Sequence, residues 1–352
     1  MQGKKRILNI RAWYTFASCL FEKRRLHEAK RLPRLKYISN TLKGFFPNKP
    51  LMYEFNKYRH SDYINDQQML KTLCINEEHE IILKDKLLFE YCMGKFVKVP
   101  KIYALIKNNS IVPIDSNTIS IYSIQDLVNQ KEKIVIKPVD GLGGKGVNIL
   151  QLDKNSYLLN GQEWEWDDIA KRIMNSDGII ICEHIQQNLF ASSLYPHTLN
   201  TIRMLSIHDV ESGEPHIAAA ALRVGCSRSY PVDNLSSGGI VCDIDPAKGT
   251  LGRAATGFLG HGHFQWVQSH PDTEVRFEGL HLEGWDDICD TITSVAHKFP
   301  QLPYIAWDVA LGEDGIVVIE GNSWTDVSLF QIFRPLLLNQ KVASFFRYHH
   351  IV

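Results

Sequence analysis

Lys133-Ile134-Val135-Ile136-Lys137-Pro138-Val139-Asp140-Gly141-Leu142-Gly143-Gly144-Lys145-Gly146-Val147-Asn148-Ile149-Leu150 reads as strand, glycine-rich turn, strand. Residues 133–139 are a short β-branched run, and 147–152 alternate apolar with polar, which is a strand period and not a helical one. A loop with four glycines brings backbone N–H groups against phosphate oxygens without Cβ clashes. Lys137 and Lys145 bracket it with positive charge. Three other motifs share these letters and fail on their flanks. A dinucleotide fingerprint needs a helix straight after the loop, and here a strand follows. A Walker A loop would need glycine at 139 and a hydroxyl at 146, where Val139 and Gly146 stand. A kinase glycine loop also lies between strands, but no His-Arg-Asp or Asp-Phe-Gly follows it. A turn serving only chain reversal has no use for the flanking lysines.

A second constellation lies near the C-terminus. Tyr304–Leu311 and Ile316–Gly321 are strands joined by Gly312-Glu313-Asp314-Gly315, which folds one antiparallel onto the other. A four-residue loop sets Asp308 opposite Ile319 or Glu320. Glu320 and Asn322, two apart, share a face. Asp308 between Trp307 and Val309 is costly to bury without a cation or a partner. Three converging oxygen side chains suit magnesium, which favours hard ligands and completes its shell with phosphates.

Between these sites, Asn200-Thr201-Ile202-Arg203 and Ala221-Leu222-Arg223-Val224 each put an arginine on an apolar strand. Such an arginine needs an anion, either a substrate or an internal carboxylate. Val232-Asp233-Asn234-Leu235-Ser236-Ser237-Gly238-Gly239 is a polar loop whose consecutive backbone donors suit an anion. Asn200, Asn234, Ser236, Gly238 and Gly239 are the candidate substrate contacts.

With 352 residues the chain can bury a large core in one to three lobes. Its net charge of zero hides an asymmetry: residues 1–60 carry 15 Lys and Arg against 3 Glu. Lys4-Lys5-Arg6, Lys23-Arg24-Arg25 and Lys30-Arg31 read as basic helical faces, either solvated or set against an anionic membrane surface. No module combining stacking and basic residues points to nucleic acid. The N-terminus reads as a retained basic amphipathic helix and not a signal peptide. The seven cysteines form no C-x-x-C pair, which fits reduced thiols in a cytoplasmic protein. Residues 82–95 fit a helix, 101–105 and 111–113 strands, 123–130 and 164–175 helices, and 178–183, 201–208 and 216–224 strands. Residues 257–273 read as a loop and 285–299 as a helix. The organisation expected is a basic helical region (1–78), a small lobe with the glycine flap (79–185) and a large lobe with the acidic hairpin (186–352).

Taken in order, these residues resemble the ATP-grasp superfamily, and within it the group associated with sugar transfer, over about residues 80–335. The resemblance implies an α+β fold of two lobes clasping ATP. It implies that Lys86, Lys137, Gly143, Gly144, Lys145 and Gly146 hold the phosphates, and that Glu183 and the backbone at Ile185 read adenine. Gln186, Gln187 and Asn188 compete for the ribose. It further implies magnesium on Asp308, Glu320 and Asn322, with Arg203 and Arg223 neutralising charge in catalysis. The reaction implied is attack of a carboxylate on ATP, then amide formation from an acyl phosphate by an amine. The sugar-transfer context implies a cell-surface glycan precursor as one partner. Phosphoryl transfer to a hydroxyl and nucleotide binding without turnover are the alternatives. The oligomeric state is left open.

Overall fold

The computed structural model describes residues 15–18, 32–114, 120–141, 143–257 and 263–352. The basic clusters at residues 4–6, 23–25 and 30–31, and the membrane-facing helices expected there, lie outside the described residues. No helix among the described residues is long and apolar enough to cross a membrane.

The β-branched runs form two seven-stranded antiparallel sheets. The small sheet contains β1 (Ile102–Lys107), β2 (Ser110–Pro113), β3 (Lys133–Pro138), β4 (Asn148–Asp153), β5 (Ser156–Leu159), β6 (Gln162–Trp164) and β7 (Ile179–Glu183), in the order β2-β1-β7-β3-β4-β5-β6. The expected hairpin is β3–β4, with Ile134 opposite Leu150 and Ile136 opposite Asn148. One face packs on the helices Ile121–Lys131 and Trp166–Met174 through Ile124, Val128, Ile169 and Ile173. The other face carries Val135, Val139, Ile180 and Cys182 against Leu87. Alternation puts Lys137, between Val135 and Val139, on that second face.

The large sheet contains β8 (Thr201–His208), β9 (Pro215–Val224), β10 (Ile240–Ile244), β11 (Leu251–Thr256), β12 (Gln265–Val267), β13 (Tyr304–Gly312) and β14 (Gly315–Asn322), ordered β12-β11-β10-β9-β8-β13-β14. One face buries Ile202, Met204, Leu222, Trp307 and Val309 beneath the helix Trp285–His297 and beside Phe89 and Met93. The opposite face is covered over Leu205, Ile207, Ala219 and Tyr304 by Phe45, Tyr53, Ile64 and Met69 together with Phe345 and Phe346 of the helix Gln340–Tyr348. A continuous core therefore joins the stretch from residue 45 to the large sheet, across the division expected at residue 78.

Three local readings change. The helix expected over 82–95 breaks at Asp85, which takes an extended backbone conformation (φ −89°, ψ 115°). Its carboxylate accepts from the N–H groups of Leu87 and Leu88 at 2.9 and 3.0 Å, the geometry of a helix N-cap. Lys86 thereby opens the second helix, Lys86–Met93. The loop expected over 257–273 contains β12, because Gln265–Val267 adds an edge strand to β11. The turn between β13 and β14 is tighter than expected, since Gly312 pairs with Gly315. A bulge then compensates: Val309 pairs with Val318 but Asp308 pairs with Glu320, leaving Ile319 as the extra residue.

Candidate active site

The bulge decides the site. Residues directly opposite in an antiparallel pair share a face. Regular pairing from the Gly312–Gly315 end would set Asp308 against Ile319 and send Glu320 to the face of Trp307. With Ile319 bulged, Asp308 and Glu320 lie on one face, with Asn322 two residues on. Across the sheet Asp308 lies opposite Arg203, and Thr201 opposite Arg223. The same face therefore gathers both arginines and the acids.

The charges expected as separate features form one cluster. Arg203 grips Asp308 through Nε to Oδ1 and through Nη2 to Oδ2 (2.9 Å), a bidentate pair. Its Nη1 donates to the Thr325 hydroxyl at 3.1 Å. Arg223 Nη2 lies 3.0 Å from Asp308 Oδ2. Arg223 also donates through Nε and Nη2 to the Thr201 hydroxyl at 3.0 and 2.6 Å. Burial alone would raise the Asp308 carboxyl, but the two guanidiniums outweigh it and hold it below the usual range. Glu320 goes the other way, pushed up by burial and then by the charge of Asp308, with Lys86, Arg203 and Lys137 opposing.

Lys86, at the start of the helix Lys86–Met93, and Lys137, on β3, bring positive charge to this cluster. Both act electrostatically on Glu320, and Lys137 acts on Lys86. Lys86 is buried; its Nζ donates to the Gly141 carbonyl at 2.8 Å and the Val139 carbonyl at 3.5 Å. Burial lowers its ammonium, and the neighbouring Lys137 adds to that against the pull of Glu320. The flap above is exposed, with Gly143, Gly144 and Gly146 at φ of 68–76°, a region side chains rarely adopt. Lys145 is exposed on it. Glu183 ends β7, and its carboxylate accepts from the Lys101 N–H at 3.1 Å. Ile185 beyond it is buried. Of the three ribose candidates, Gln187 is buried and bonded to Tyr195 and Asn200, and Asn188 caps the helix Leu189–Leu194. Gln186 is exposed.

Two expectations need correction. Asn200 is buried, and its amide is fully engaged: Nδ2 donates to the carbonyls of Ala191 and Tyr195, and Oδ1 accepts from the Gly225 N–H and the Thr198 hydroxyl. It braces the fold and offers a substrate nothing. The backbone donors expected at residues 236–239 are not free either. The N–H of Ser236 goes to Asn234 Oδ1, those of Ser237 and Gly239 to the Asn234 carbonyl, and that of Gly238 to the Leu235 carbonyl. The anion cradle expected at Ser236, Gly238 and Gly239 is closed on itself.

Sequence reasoning missed Thr201, Asp233 and Thr325. Asp233 is buried and accepts from the Thr201 N–H (3.0 Å) and hydroxyl (2.5 Å), with Arg223 Nε at 3.5 Å. Thr201 was findable, since it lies two residues before Arg203 on one strand face. Loop residues such as Asp233 and Thr325 carry no period to betray them.

A family model described as sugar-transfer-associated ATP-grasp matches residues 48–344. The chain belongs to that family. The ATP-grasp fold expected from the sequence is thus the fold of this chain, two antiparallel sheets with helices. Similar solved structures include the ATP-grasp ligase PsnB complexed with minimal precursor (15% identity over 74% of this chain and 56% of that one, TM-score 0.37). Others are D-alanyl-alanine synthetase A from Vibrio cholerae (11%, 76% and 66%, 0.43) and the ADP complex of PurK, N5-carboxyaminoimidazole ribonucleotide synthetase (11%, 74% and 48%, 0.40). The chain spans about half to two thirds of the length of these structures. No curated protein matches it. In this ATP-grasp chain the oxygen set fits a hard divalent cation in kind: two carboxylates and an amide on one face, with the Glu320 carboxyl raised by burial and then by the charge of Asp308, a cost that a cation would relieve.

Proposed function

We propose that the chain is an ATP-dependent carboxylate–amine ligase acting through an acyl phosphate on a cell-surface glycan precursor. The observation that carries this is the convergence of Lys86, from the helix Lys86–Met93, and Lys137, from the small sheet, on the charge of Glu320 beside the Arg203–Asp308–Arg223 cluster of the large sheet. Lys86, Lys137, Lys145 and the flap amides at Gly143, Gly144 and Gly146 hold the triphosphate, and the strand end at Glu183 and Ile185 takes the adenine. Gln186 is the ribose residue, since its two neighbours are engaged elsewhere. Asp308, Glu320 and Asn322 are the groups that would hold magnesium, which when bound neutralises phosphate charge.

A substrate carboxylate oxygen attacks the γ-phosphorus in line; the bond to the β–γ bridging oxygen breaks and ADP leaves. An amine then attacks the acyl carbon, phosphate departs, and the amine loses a proton. Catalysis of this kind is positioning and electrostatic stabilisation. Arg223 is the better placed arginine for the phosphoryl oxygens. Its Nε and Nη2 are engaged, while its Nη1 has no partner among the described residues. Arg203 gives all three nitrogens to Asp308 and Thr325 and chiefly holds Asp308 in place.

The basic N-terminal clusters support peripheral contact with an anionic membrane from the cytoplasmic side. The test of the reaction is mass spectrometry of products after incubation with ATP, magnesium, uronic-acid sugars and mixed amino acids. An amide with ADP and phosphate is expected. A phosphorylated sugar with ADP would replace the ligase by a phosphotransferase.

A further inference from the structure

The adjacent residues Asp233 and Asn234 face opposite ways. Asn234 Nδ2 donates to the Gly143 carbonyl of the flap at 2.6 Å, and its Oδ1 accepts from the Ser236 N–H at 3.2 Å. The flap comes down on this loop: a Cβ at Gly143 would stand 3.3 Å from Asn234 Nδ2, and one at Gly144 would stand 3.1 Å from Val232 Cγ1. One residue earlier, Asp233 is buried against the other half of the site. It accepts from Thr201 twice and lies 3.5 Å from Arg223 Nε. The loop carrying both side chains is tightly closed. The N–H groups of Ser237 and Gly239 converge on the Asn234 carbonyl, and a Cβ at Gly239 would lie 2.3 Å from the Asp233 carbonyl oxygen. The two side chains are therefore braced as one piece.

We propose that Asp233-Asn234 is a two-sided positioning element that couples closure of the glycine flap to the placement of Arg223. Asn234 latches the flap; Asp233, through the shared backbone and Thr201, sets the arginine. When the flap lifts from Asn234 the strap that orients Arg223 loosens, so phosphoryl stabilisation is complete only over a closed flap. Neither residue touches the reacting atoms. The role given to Arg223 rests on the ligase reading; the latch itself does not.

Asn234→Asp is the decisive variant. It keeps the acceptor for the Ser236 N–H and replaces the donor to Gly143 by a carboxylate, so loop folding is preserved while the latch is broken. Hydrogen exchange of the full chain, read at residues 143–147 with AMP-PNP present, should speed up about tenfold, the scale of one lost hydrogen bond. Asp233→Asn should lower kcat about tenfold or more, with the AMP-PNP affinity within about threefold of the parent chain. The coupling shows in the double variant, whose kcat should be no lower than that of the worse single variant. Unchanged flap exchange in Asn234→Asp, or full additivity of the two kcat losses, would overturn the proposal. If Asp233→Asn fails to fold, Asp233→Glu, which retains the charge at the wrong reach, replaces it in the same cycle. Exchange and AMP-PNP affinity need no acceptor, so a chain that shows the latch effect yet forms no amide refutes the ligase reading alone.

Discussion

The flap hairpin and the acid hairpin are the same element with their chemistry in opposite places. In β3–β4 the strands are ordinary supports, and the exposed glycine loop between them is the part proposed to hold the phosphates. In β13–β14 the two-residue turn is exposed, while the residues proposed to hold magnesium, buried Asp308 and half-buried Glu320 and Asn322, lie on the strands. A loop that must close over a ligand needs backbone freedom. Acids that must stay fixed near like charge need a sheet and buried counter-ions. Mobility and rigidity are thus divided between two hairpins.

The largest effect that sharpens this contrast is on the rigid side. Asp308→Ala leaves Arg203 and Arg223 buried without their shared carboxylate, a loss of about 3–5 kcal/mol for a broken buried pair. Urea denaturation should show a loss on that scale, together with the disappearance of ATP turnover. A loss below about 1 kcal/mol would mean that water or Asp233 replaces Asp308 easily, and that the cluster is softer than described.

Next comes acid sensitivity on the flap side. His184 follows β7, and burial, assisted by the charge of Lys133, lowers its imidazole to about 4. Its unfolded value is near 6.5, so the folded state prefers the neutral ring. Its contribution is fully present above pH 6.5 and is lost as pH falls toward 4, roughly 2–3 kcal/mol in all. His349, just past the helix Gln340–Tyr348, is lowered in the same way by burial and then by His350. His184→Gln should flatten, without abolishing, the decline in stability between pH 6.5 and 4. An unaltered slope would remove His184 from the account.

The smallest effects compare the two loops directly. Gly144→Val sets a β-branched residue at φ 70° against Val232, costing about 1–2 kcal/mol locally, and should cut turnover at least tenfold. Asp314→Val in the other turn loses only an exposed contact with Lys98 at 3.6 Å and should change stability by less than about 0.5 kcal/mol, with turnover unaffected. Equal effects on turnover would erase the distinction between the hairpins.

Much of this was legible in the chain. Short β-branched or alternating runs located β3, β4, β7, β8, β9, β13 and β14, because strands covered on both faces are rich in apolar residues. The meeting of Asp308 and Glu320 was legible only to within one residue, since a one-residue bulge at Ile319 leaves no mark in the pattern of residue types. That the arginines and Asp308 satisfy one another was hidden, because three strands separated in sequence supply them. The break at Asp85 was masked by apolar helical spacing on both sides. The closure of the 232–239 loop on Asn234 was invisible, since its donors look free until the turn is drawn.

The extra residue at Ile319 has one more consequence. Strands keep time in twos, and the apolar positions of β14 that face Phe89 and Met93 run 316, 318, 321, a rhythm that skips a beat. A reader counting strictly in pairs would file Glu320 among the greasy residues and dismiss it. The syncopation is what delivers a second acid to the face that carries Asp308 and both arginines, so shifting the beat by a single position would disarm the site without altering any of its charged residues.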